Sequence, residues 1–204
     1  MSNPVYTLKQ VPANNPFPFS SWHNQVYYGS IGYATAATLG AALAAQELPN
    51  NPDSTPRRTI LVTGEGSMQL TLQEIGTMIH YGVAPILLVI NNNGYTIERV
   101  IHGAKQAYNA VVPYNYGKML ELFGMSESDA KQNFWKADTK QELVDALKDV
   151  QAKSGNGKVK VVEIIMDAFD APWRLVSQVA TRGEATIKEM KEAGFIVREP
   201  VPKV

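Results

Sequence analysis

Runs of apolar residues alternate with polar segments along this chain, and their spacing changes from one segment to the next. Residues 59–63 and 85–90 are short aliphatic and β-branched runs, which are typical of buried strands. Between them, apolar residues recur at roughly helical intervals from a start at Ser67: Met68, Leu70, Leu72, Ile75, Met78 and Ile79. The pattern predicts a strand, a glycine turn, a helix and a second strand, and open parallel sheets bind ligands at the carboxyl ends of such strands.

The rest of the chain is predicted from the same kinds of pattern. Residues 1–26 are rich in Pro and Asn and are expected to form an extended lead-in to a folded domain at 27–204. The remaining expected elements are, in chain order, a helix at Ser30–Glu47, a surface loop at 49–58, a helix at 116–123, a strand at 134–137, a helix at 139–151, a strand at 159–166 and a closing helix within 173–193.

Length and charge exclude several classes of function. A chain of 204 residues forms one α/β domain with a sizeable core. The formal net charge is zero and basic residues do not cluster, so we expect no nucleic-acid partner. Cysteine is absent, which excludes disulfides and thiolate metal sites. No signal-like start or apolar run of membrane length is present, so we expect no membrane contact and a cytoplasmic location.

Two short motifs carry the candidate chemistry. The first is Gly64-Glu65-Gly66-Ser67, directly after the first predicted strand, and the second is Asn91-Asn92-Asn93-Gly94-Tyr95, directly after the next. Glycine lets the backbone approach phosphate, and carboxylate and amide oxygens are hard ligands suited to magnesium or calcium. The 24 residues at 67–90 leave room for one helix and one strand between the motifs. The order of parts favours a metal-bound diphosphate.

These motifs resemble the thiamine diphosphate motif, usually written Gly-Asp-Gly, a spacer in the mid-twenties, then Asn-Asn. Further strings are similar to the pyruvate decarboxylase and indolepyruvate decarboxylase family, particularly its fungal members. They are Tyr28–Gly32, Ser67–Ile75, Asn92–Glu98, Ile101–Gly103 and Phe169–Pro172. The resemblance extends from about Tyr27 to about Gln178.

The family resemblance implies a three-layer α/β fold, with a mostly parallel sheet and helices on both faces. It further implies the domain that holds the diphosphate and Mg2+ in a thiamine diphosphate-dependent decarboxylase. Such a lyase converts a 2-oxo acid, here pyruvate or an aryl pyruvate, to an aldehyde and CO2. In the family, a pyrimidine-binding domain from a neighbouring subunit completes the site, so the expected partners are that domain and further copies in a homo-oligomer.

The resemblance also assigns roles to single residues. Glu65, where the family usually has Asp, would bind the metal through its carboxylate, Asn92 through its amide oxygen and Gly94 through its carbonyl. Ser67 would bind the diphosphate; the plain alternative is a simple helix N-cap, and we expect both roles together. Ile31 would be an apolar wedge that bends the cofactor. The full set of expected cofactor-binding residues is Gly29, Ser30, Ile31, Gly64, Gly66, Ser67, Asn92, Gly94, Tyr95, Thr96 and Ile97.

Glu98 is the expected catalytic residue, because the matching glutamate of the family faces the substrate. Partly dry surroundings would raise its pKa and suit it to proton transfer near neutral pH. The alternative is an exposed acid that pairs with Arg99 or Lys105. The three histidines, His23, His80 and His102, lack metal-ligand spacing and are expected to be solvated or packed.

The chain also departs from the family pattern. Nothing in it resembles the family's cofactor-activating glutamate, its His-His pair or an upstream Gly-Thr-Ser-like turn, where this chain reads Val5–Lys9. Three hypotheses remain: a fragment or split subunit that works with a separate pyrimidine-binding chain, a non-catalytic cofactor-binding or regulatory domain, or a member of another thiamine branch such as the acetolactate synthases. The Gly94–Glu98 string argues against the third.

Overall fold

The computed structural model describes residues 5–9, 21–23, 28–47 and 57–198. It divides into two compact units. The sheet unit comprises residues 1–90 and 114–165, and the second unit comprises residues 91–113 and 166–204. Most of the loop predicted at 49–58 lies outside the described residues.

The sheet has six strands: β1 Val5–Lys9, β2 Ser21–His23, β3 Arg57–Gly64, β4 Ile86–Asn91, β5 Phe134–Ala137 and β6 Lys160–Ile165. Their order is β2-β1-β3-β4-β6-β5. The pairs β3/β4 and β5/β6 are parallel, whereas β1 is antiparallel to β2 and β3. The predicted strands β3, β4, β5 and β6 are confirmed to within a few residues. The extended lead-in is wrong in part, since β1 and β2 add two strands to the sheet.

Helices cover both faces of the sheet. In β3 and β4, register pairs Leu61 with Leu87 and Ile60 with Ile86, and successive side chains point to opposite faces. Leu61 and Leu87 belong to one buried apolar cluster, which also contains residues of the helix at 33–47. Ile86 belongs to another, with residues of the helix at 140–152. This layering confirms the predicted α/β fold.

The α-helices of the described residues are α1 Tyr33–Glu47, α2 Glu65–Met68, α3 Glu74–His80, α4 Thr96–His102, α5 Met119–Leu122, α6 Glu127–Gln132, α7 Lys140–Ala152, α8 Trp173–Ala180 and α9 Glu184–Ala193. Thr139 and Glu142 form a reciprocal capping box at the start of α7, which explains why that boundary was predictable. The helix predicted at 116–123 is observed as a 3-10 turn, Tyr116–Lys118, followed by α5.

Two predicted helices are interrupted. The helix expected from Ser67 to Ile79 is observed as α2 and α3, because the N–H groups of Leu70 and Thr71 donate three residues back in a tight turn. The closing helix is observed as α8 and α9, separated at Gly183, whose φ of +128° is outside the helical range.

The second unit has its own small core. Helices α4, α8 and α9 contribute to a cluster formed by Val100, Val176, Val179, Met190 and Phe195. The rings of Phe169 and Phe195 meet edge to face, with centroids 5.2 Å apart. None of the helices in the described residues is both long and apolar enough to cross a membrane.

Candidate cofactor and metal site

The segment after β3, residues 64–71, is the glycine turn. The backbone of Gly64 is extended, and a Cβ placed there would meet no atom within 4 Å. Open space therefore lies beside the backbone at the first glycine of the motif. α2 begins immediately afterwards, and Met68 at its end is fully buried in the main core. Burial of Met68 holds the turn against the sheet.

Glu65 and Ser67 are both withdrawn from solvent within this turn, since they are 4% and 6% exposed. Ser67 lies inside α2 and its Oγ accepts a hydrogen bond from the Gly32 N–H at 2.8 Å. The N-cap position of α2 is Gly64, so the interpretation of Ser67 as a simple N-cap is wrong. Its hydroxyl proton can still be donated to an anion.

The segment Gly29–Gly32 lies against the glycine turn within the sheet unit. The carbonyl of Gly32 accepts from Thr71 Oγ1 at 2.7 Å, in addition to the bond from its N–H to Ser67. Gly29 has a φ of +57°, and Gly29 and Ser30 are exposed. The side chain of Ile31 is also exposed, by 45%. The structure thus brings the expected wedge segment beside the expected diphosphate segment.

Tyr116 lies near the acid of the glycine turn. Its hydroxyl oxygen accepts from Gln69 Nε2 at 3.3 Å. Burial raises the pKa of Tyr116 to about 12, and the negative charges of Glu65 and Glu163 add to this rise, while the bond from Gln69 opposes it. Tyr116 is therefore neutral at physiological pH and adds no charge beside Glu65.

The segment after β4, residues 91–98, is the asparagine loop and is described within the second unit. Asn93 has a φ of +59°, which is uncommon for a residue with a side chain. Gly94 is buried with a φ of +148°, and a Cβ there would clash with the carbonyl oxygen of Asn109 and lie 2.5 Å from Arg99 Nη2. Only glycine fits this position.

The guanidinium of Arg99 donates hydrogen bonds to the backbone of the asparagine loop. Its Nη2 donates to the carbonyl oxygen of Asn93 at 2.6 Å and its Nη1 to that of Asn92 at 3.3 Å. The N–H of Tyr95 donates to the carbonyl oxygen of Asn109 at 2.9 Å. These three hydrogen bonds to backbone carbonyls hold the loop in place of the hydrogen bonds that a β-sheet would provide.

The amide of Asn92 is oriented by Thr96. Asn92 Nδ2 donates to Thr96 Oγ1 at 2.7 Å, and that hydroxyl donates to the carbonyl of Ala168 at 2.9 Å. This bond uses the amide nitrogen of Asn92 and not its amide oxygen, which is the atom that a metal would bind. The carbonyl of Gly94 accepts from the Thr96 N–H at 3.2 Å, which occupies one of its two lone pairs.

Glu98 is less enclosed than expected. Its side chain is 43% exposed and its carboxylate lies 3.3 Å from His102 Nε2, one turn along α4. The expected alternative pairing with Arg99 or Lys105 is wrong, because His102 is the partner. The expected partly dry surroundings are not provided by the residues around it in the second unit. His102, His80 and His23 are all exposed.

The expected metal ligands belong to two different units of the fold. Within the described ranges, no group of three or more His, Cys, Asp or Glu side chains is placed to hold an ion. Glu65 belongs to the sheet unit, and Asn92 and Gly94 belong to the second unit. A set of one carboxylate, one amide and one carbonyl matches the hard oxygen donors that Mg2+ prefers.

Sequence reasoning missed the residues that support these segments. The side chains of Thr71 and Arg99 donate hydrogen bonds to the backbone of other residues. Thr71 lies in the Ser67–Ile75 string, but nothing in the sequence at either position indicates this supporting role. Gly32 is part of the quoted Tyr28–Gly32 string, but its contacts with Ser67 and Thr71 span 35 and 39 positions. Asn109 could have been found only from the fold, since its carbonyl meets Tyr95 in three dimensions.

Comparison with known proteins gives a consistent result. Residues 7–164 match the family model described as "Thiamine pyrophosphate enzyme, C-terminal TPP binding domain". The chain is 40% identical over 176 residues to pyruvate decarboxylase isozyme 1 of Saccharomyces cerevisiae, covering 86% of this chain and 29% of that protein. It is 44% identical over 156 residues to pyruvate decarboxylase of Candida albicans, and that match covers 76% of this chain and 26% of that protein. The chain thus spans less than a third of the length of these curated relatives.

A solved structure shares the fold. Benzoylformate decarboxylase from Polynucleobacter necessarius matches with a TM-score of 0.53 and 21% sequence identity, over 71% of this chain and 25% of that one. At this level of identity the match concerns the arrangement of helices and strands alone.

Proposed function

Since the chain belongs to the family of thiamine pyrophosphate enzyme C-terminal TPP-binding domains, we propose that it holds the diphosphate end of thiamine diphosphate, with Mg2+, in a non-oxidative 2-oxo acid decarboxylase. Identity of 40% to a yeast pyruvate decarboxylase supports this branch of the family. The Gly94–Glu98 string, which resembles the decarboxylases rather than the acetolactate synthases, supports it further.

One structural observation carries the proposal. Glu65 is a carboxylate held at 4% exposure at the carboxyl end of β3, directly after a glycine with open space beside its backbone. A side chain at Gly64 would occupy the space that a diphosphate oxygen needs, and the fixed carboxylate offers a hard ligand to the accompanying ion. The residues present therefore fit the group.

We assign the metal to Glu65, Asn92 and Gly94. Asn92 is suited to this role because its amide nitrogen donates to Thr96, and that bond does not use its amide oxygen. Gly94 would contribute its backbone carbonyl oxygen. Glutamate at position 65 is one methylene longer than the family's usual aspartate, so the turn or the ion must shift to accommodate it.

When bound, thiamine diphosphate supplies the nucleophilic carbon and the electron sink for decarboxylation. The residues of this chain position it and move protons. Gly29 and Ile31 would hold the aminopyrimidine and bend the cofactor, and Ser67 would donate its hydroxyl proton to the diphosphate. Glu98, paired with His102 in the free chain, would exchange a proton with the substrate once released from that pair.

A second domain is part of the proposal. We place the pyrimidine-binding half on another chain or on a segment outside these 204 residues, within a homo-oligomer that acts on pyruvate or an aryl pyruvate. Tyr28 and Ile31, exposed by 87% and 45%, form an apolar surface that such a domain would cover. The cytoplasmic location stays a prediction.

Calorimetric titration of the full chain with inorganic pyrophosphate, with and without Mg2+, tests the site. We expect binding that depends on the metal, and a loss of at least about tenfold in affinity, or about 1.4 kcal/mol, for Glu65→Gln. Asn92→Ala should lose as much. Glu74→Gln, a first-turn glutamate of α3, is the matched control and should bind as the wild type does. Binding that ignores both the metal and Glu65 contradicts the ligand assignment.

Activity is tested by reconstitution. The chain by itself should not release CO2 from pyruvate or phenylpyruvate faster than free thiamine diphosphate does. Addition of a pyrimidine-binding domain from a fungal decarboxylase should restore some turnover, and Glu98→Gln should reduce that turnover by about 100-fold or more. Glu184→Gln, at an exposed glutamate of α9, is the control. Turnover by the isolated chain that Glu98→Gln abolishes contradicts the half-site. Failure to restore turnover, with intact cofactor binding, favours a non-catalytic domain.

A further inference from the structure

The backbone of Gly32 is held on both sides by hydroxyl groups of the glycine turn. Ser67 Oγ accepts from its N–H at 2.8 Å, and Thr71 Oγ1 donates to its carbonyl at 2.7 Å. We call this pair of hydrogen bonds the Gly32 clasp. The first bond is buried and the second partly buried, so water competes poorly for either group.

The conformation of Gly32 depends on this contact as well as on being glycine. Its φ is +87°, in the region that side chains disfavour. A Cβ at this position would lie 2.9 Å from the Cβ of Leu70, closer than real Cβ atoms approach. The segment thus meets the glycine turn at van der Waals distance, and Gly32 cannot shift without breaking both hydrogen bonds.

Ile31 is the residue whose position the clasp determines. It directly precedes Gly32, and α1 begins at Tyr33 directly after, so the peptide between Ile31 and Gly32 is fixed at one end by Ser67. The Ile31 side chain is 45% exposed. Its direction therefore depends on the backbone, which is held by the turn hydrogen bond from the Tyr33 N–H to the Ser30 carbonyl at 3.3 Å and by the clasp.

We propose that Thr71 is a positioning residue for the cofactor, which acts through Gly32 to fix Ile31 and does not itself contact the cofactor. Ser67 has two roles in this arrangement, since its oxygen accepts from Gly32 while its proton is free for a diphosphate oxygen. Thr71 has a supporting role alone: its hydroxyl donates to the Gly32 carbonyl. The inference rests on the proposed function, because Ile31 meets a cofactor only there.

Two ligands distinguish this role from a general structural one. Inorganic pyrophosphate tests only the diphosphate end, whereas thiamine diphosphate also meets Ile31. In calorimetric titrations with Mg2+, Thr71→Val should weaken binding of thiamine diphosphate about fivefold and change binding of pyrophosphate by less than about twofold. Thr71→Ser keeps the hydroxyl and should restore wild-type affinity. Thr77→Val, at a half-buried threonine of α3, is the matched control and should change neither.

A double-mutant cycle tests whether Thr71 acts through Ile31. In an Ile31→Ala background, Thr71→Val should cause no further loss of thiamine diphosphate affinity. Additive losses overturn the proposed route. If Thr71→Val fails to fold, Thr71→Ala removes the same hydroxyl donor with a smaller side chain and should give the same selective loss.

The outcomes separate the two proposals. Equal losses for both ligands in Thr71→Val and Thr71→Ala, or wild-type affinities in both, overturn the positioning role while the cofactor site stands. A wild-type chain that binds neither ligand overturns the proposed function, and the cofactor role of Thr71 with it.

Discussion

The glycine turn and the asparagine loop both follow a strand of the same parallel pair, but different forces hold them. The glycine turn lies over the main core, with Met68 fully buried and Glu65 nearly so. The asparagine loop has no comparable buried side chain among residues 91–98. It is held by hydrogen bonds from Arg99 to two carbonyls, from the Tyr95 N–H to Asn109 and from Asn92 to Thr96, and by the close approach of Gly94 to Asn109.

Because of this difference, we expect single substitutions to affect the two segments differently. Burial distributes the free energy of a turn over many atoms, so single polar changes there should alter binding more than folding. A loop held by a few hydrogen bonds and one tightly packed glycine depends more strongly on single residues such as Arg99 and Gly94. The expected catalytic group belongs to the asparagine loop, where the side chain of Glu98 is half-exposed.

The largest effect on stability should come from Gly94→Ala. The new Cβ would clash with the Asn109 carbonyl at a φ of +148°, and we expect a loss of about 3 kcal/mol in unfolding free energy. Gly64→Ala is the matched change in the glycine turn, where the φ is −76° and no atom lies within 4 Å. It should cost less than about 1 kcal/mol, while reducing pyrophosphate binding. Urea unfolding followed by circular dichroism measures the stability of both variants. Equal losses of unfolding free energy would contradict the proposed difference between the two segments.

A smaller effect is expected from Arg99→Met, which keeps an unbranched apolar side chain and removes the donors to the Asn92 and Asn93 carbonyls. We expect about 1–2 kcal/mol lower stability and about tenfold weaker magnesium-dependent binding of pyrophosphate, because the ligand loop loosens. Arg174→Met, at an exposed arginine of α8, is the control. A variant with unchanged affinity would show that the loop does not need this support.

The smallest effect concerns Tyr116, beneath the glycine turn. Tyr116→Phe removes the acceptor of a 3.3 Å bond from Gln69 and should cost less than about 1 kcal/mol at neutral pH. In the folded wild-type chain the pKa of Tyr116 is about 12, whereas its ordinary value is 10.0. Between pH 10 and 12 the folded chain therefore binds a proton that the unfolded chain has lost. Wild-type stability should therefore fall relative to Tyr116→Phe as pH rises from 10 to 12. Urea unfolding across that range, with Tyr114→Phe as the exposed control, measures the difference, and a constant difference would contradict it.

Local patterns predicted the elements of the main sheet well. The strands at 57–64, 86–91, 134–137 and 160–165 are aliphatic or aromatic runs with polar ends, and α7 begins at a capping box that can be read from Thr139 and Glu142. The break at residues 69–73 was not predictable from spacing, because Leu70 and Leu72 continue the helical interval. Tight turns and the bond from Thr71 to Gly32 end α2 there.

The strands at 5–9 and 21–23 were missed for a related reason. Their segment is rich in Pro and Asn and shows little periodicity, and the antiparallel pairing of β1 with β3 joins residues about 50 positions apart. The break at Gly183 was missed too, although a glycine between two helical patterns is a recognised signal for a helix end.

The sequence by itself determined which chemical groups the chain can offer and in what order: glycines and a carboxylate after one strand, asparagines and a glycine after the next, and a glutamate on the helix that follows. These depend on residue type and on spacing within one βαβ unit. Only the tertiary structure decided what supports those groups. The Gly32 clasp, the guanidinium beneath the asparagine loop and the exposure of Glu98 arise from contacts between residues that packing brings together. Hydrogen bonds of that kind depend on the position of each backbone in space, which no local period encodes.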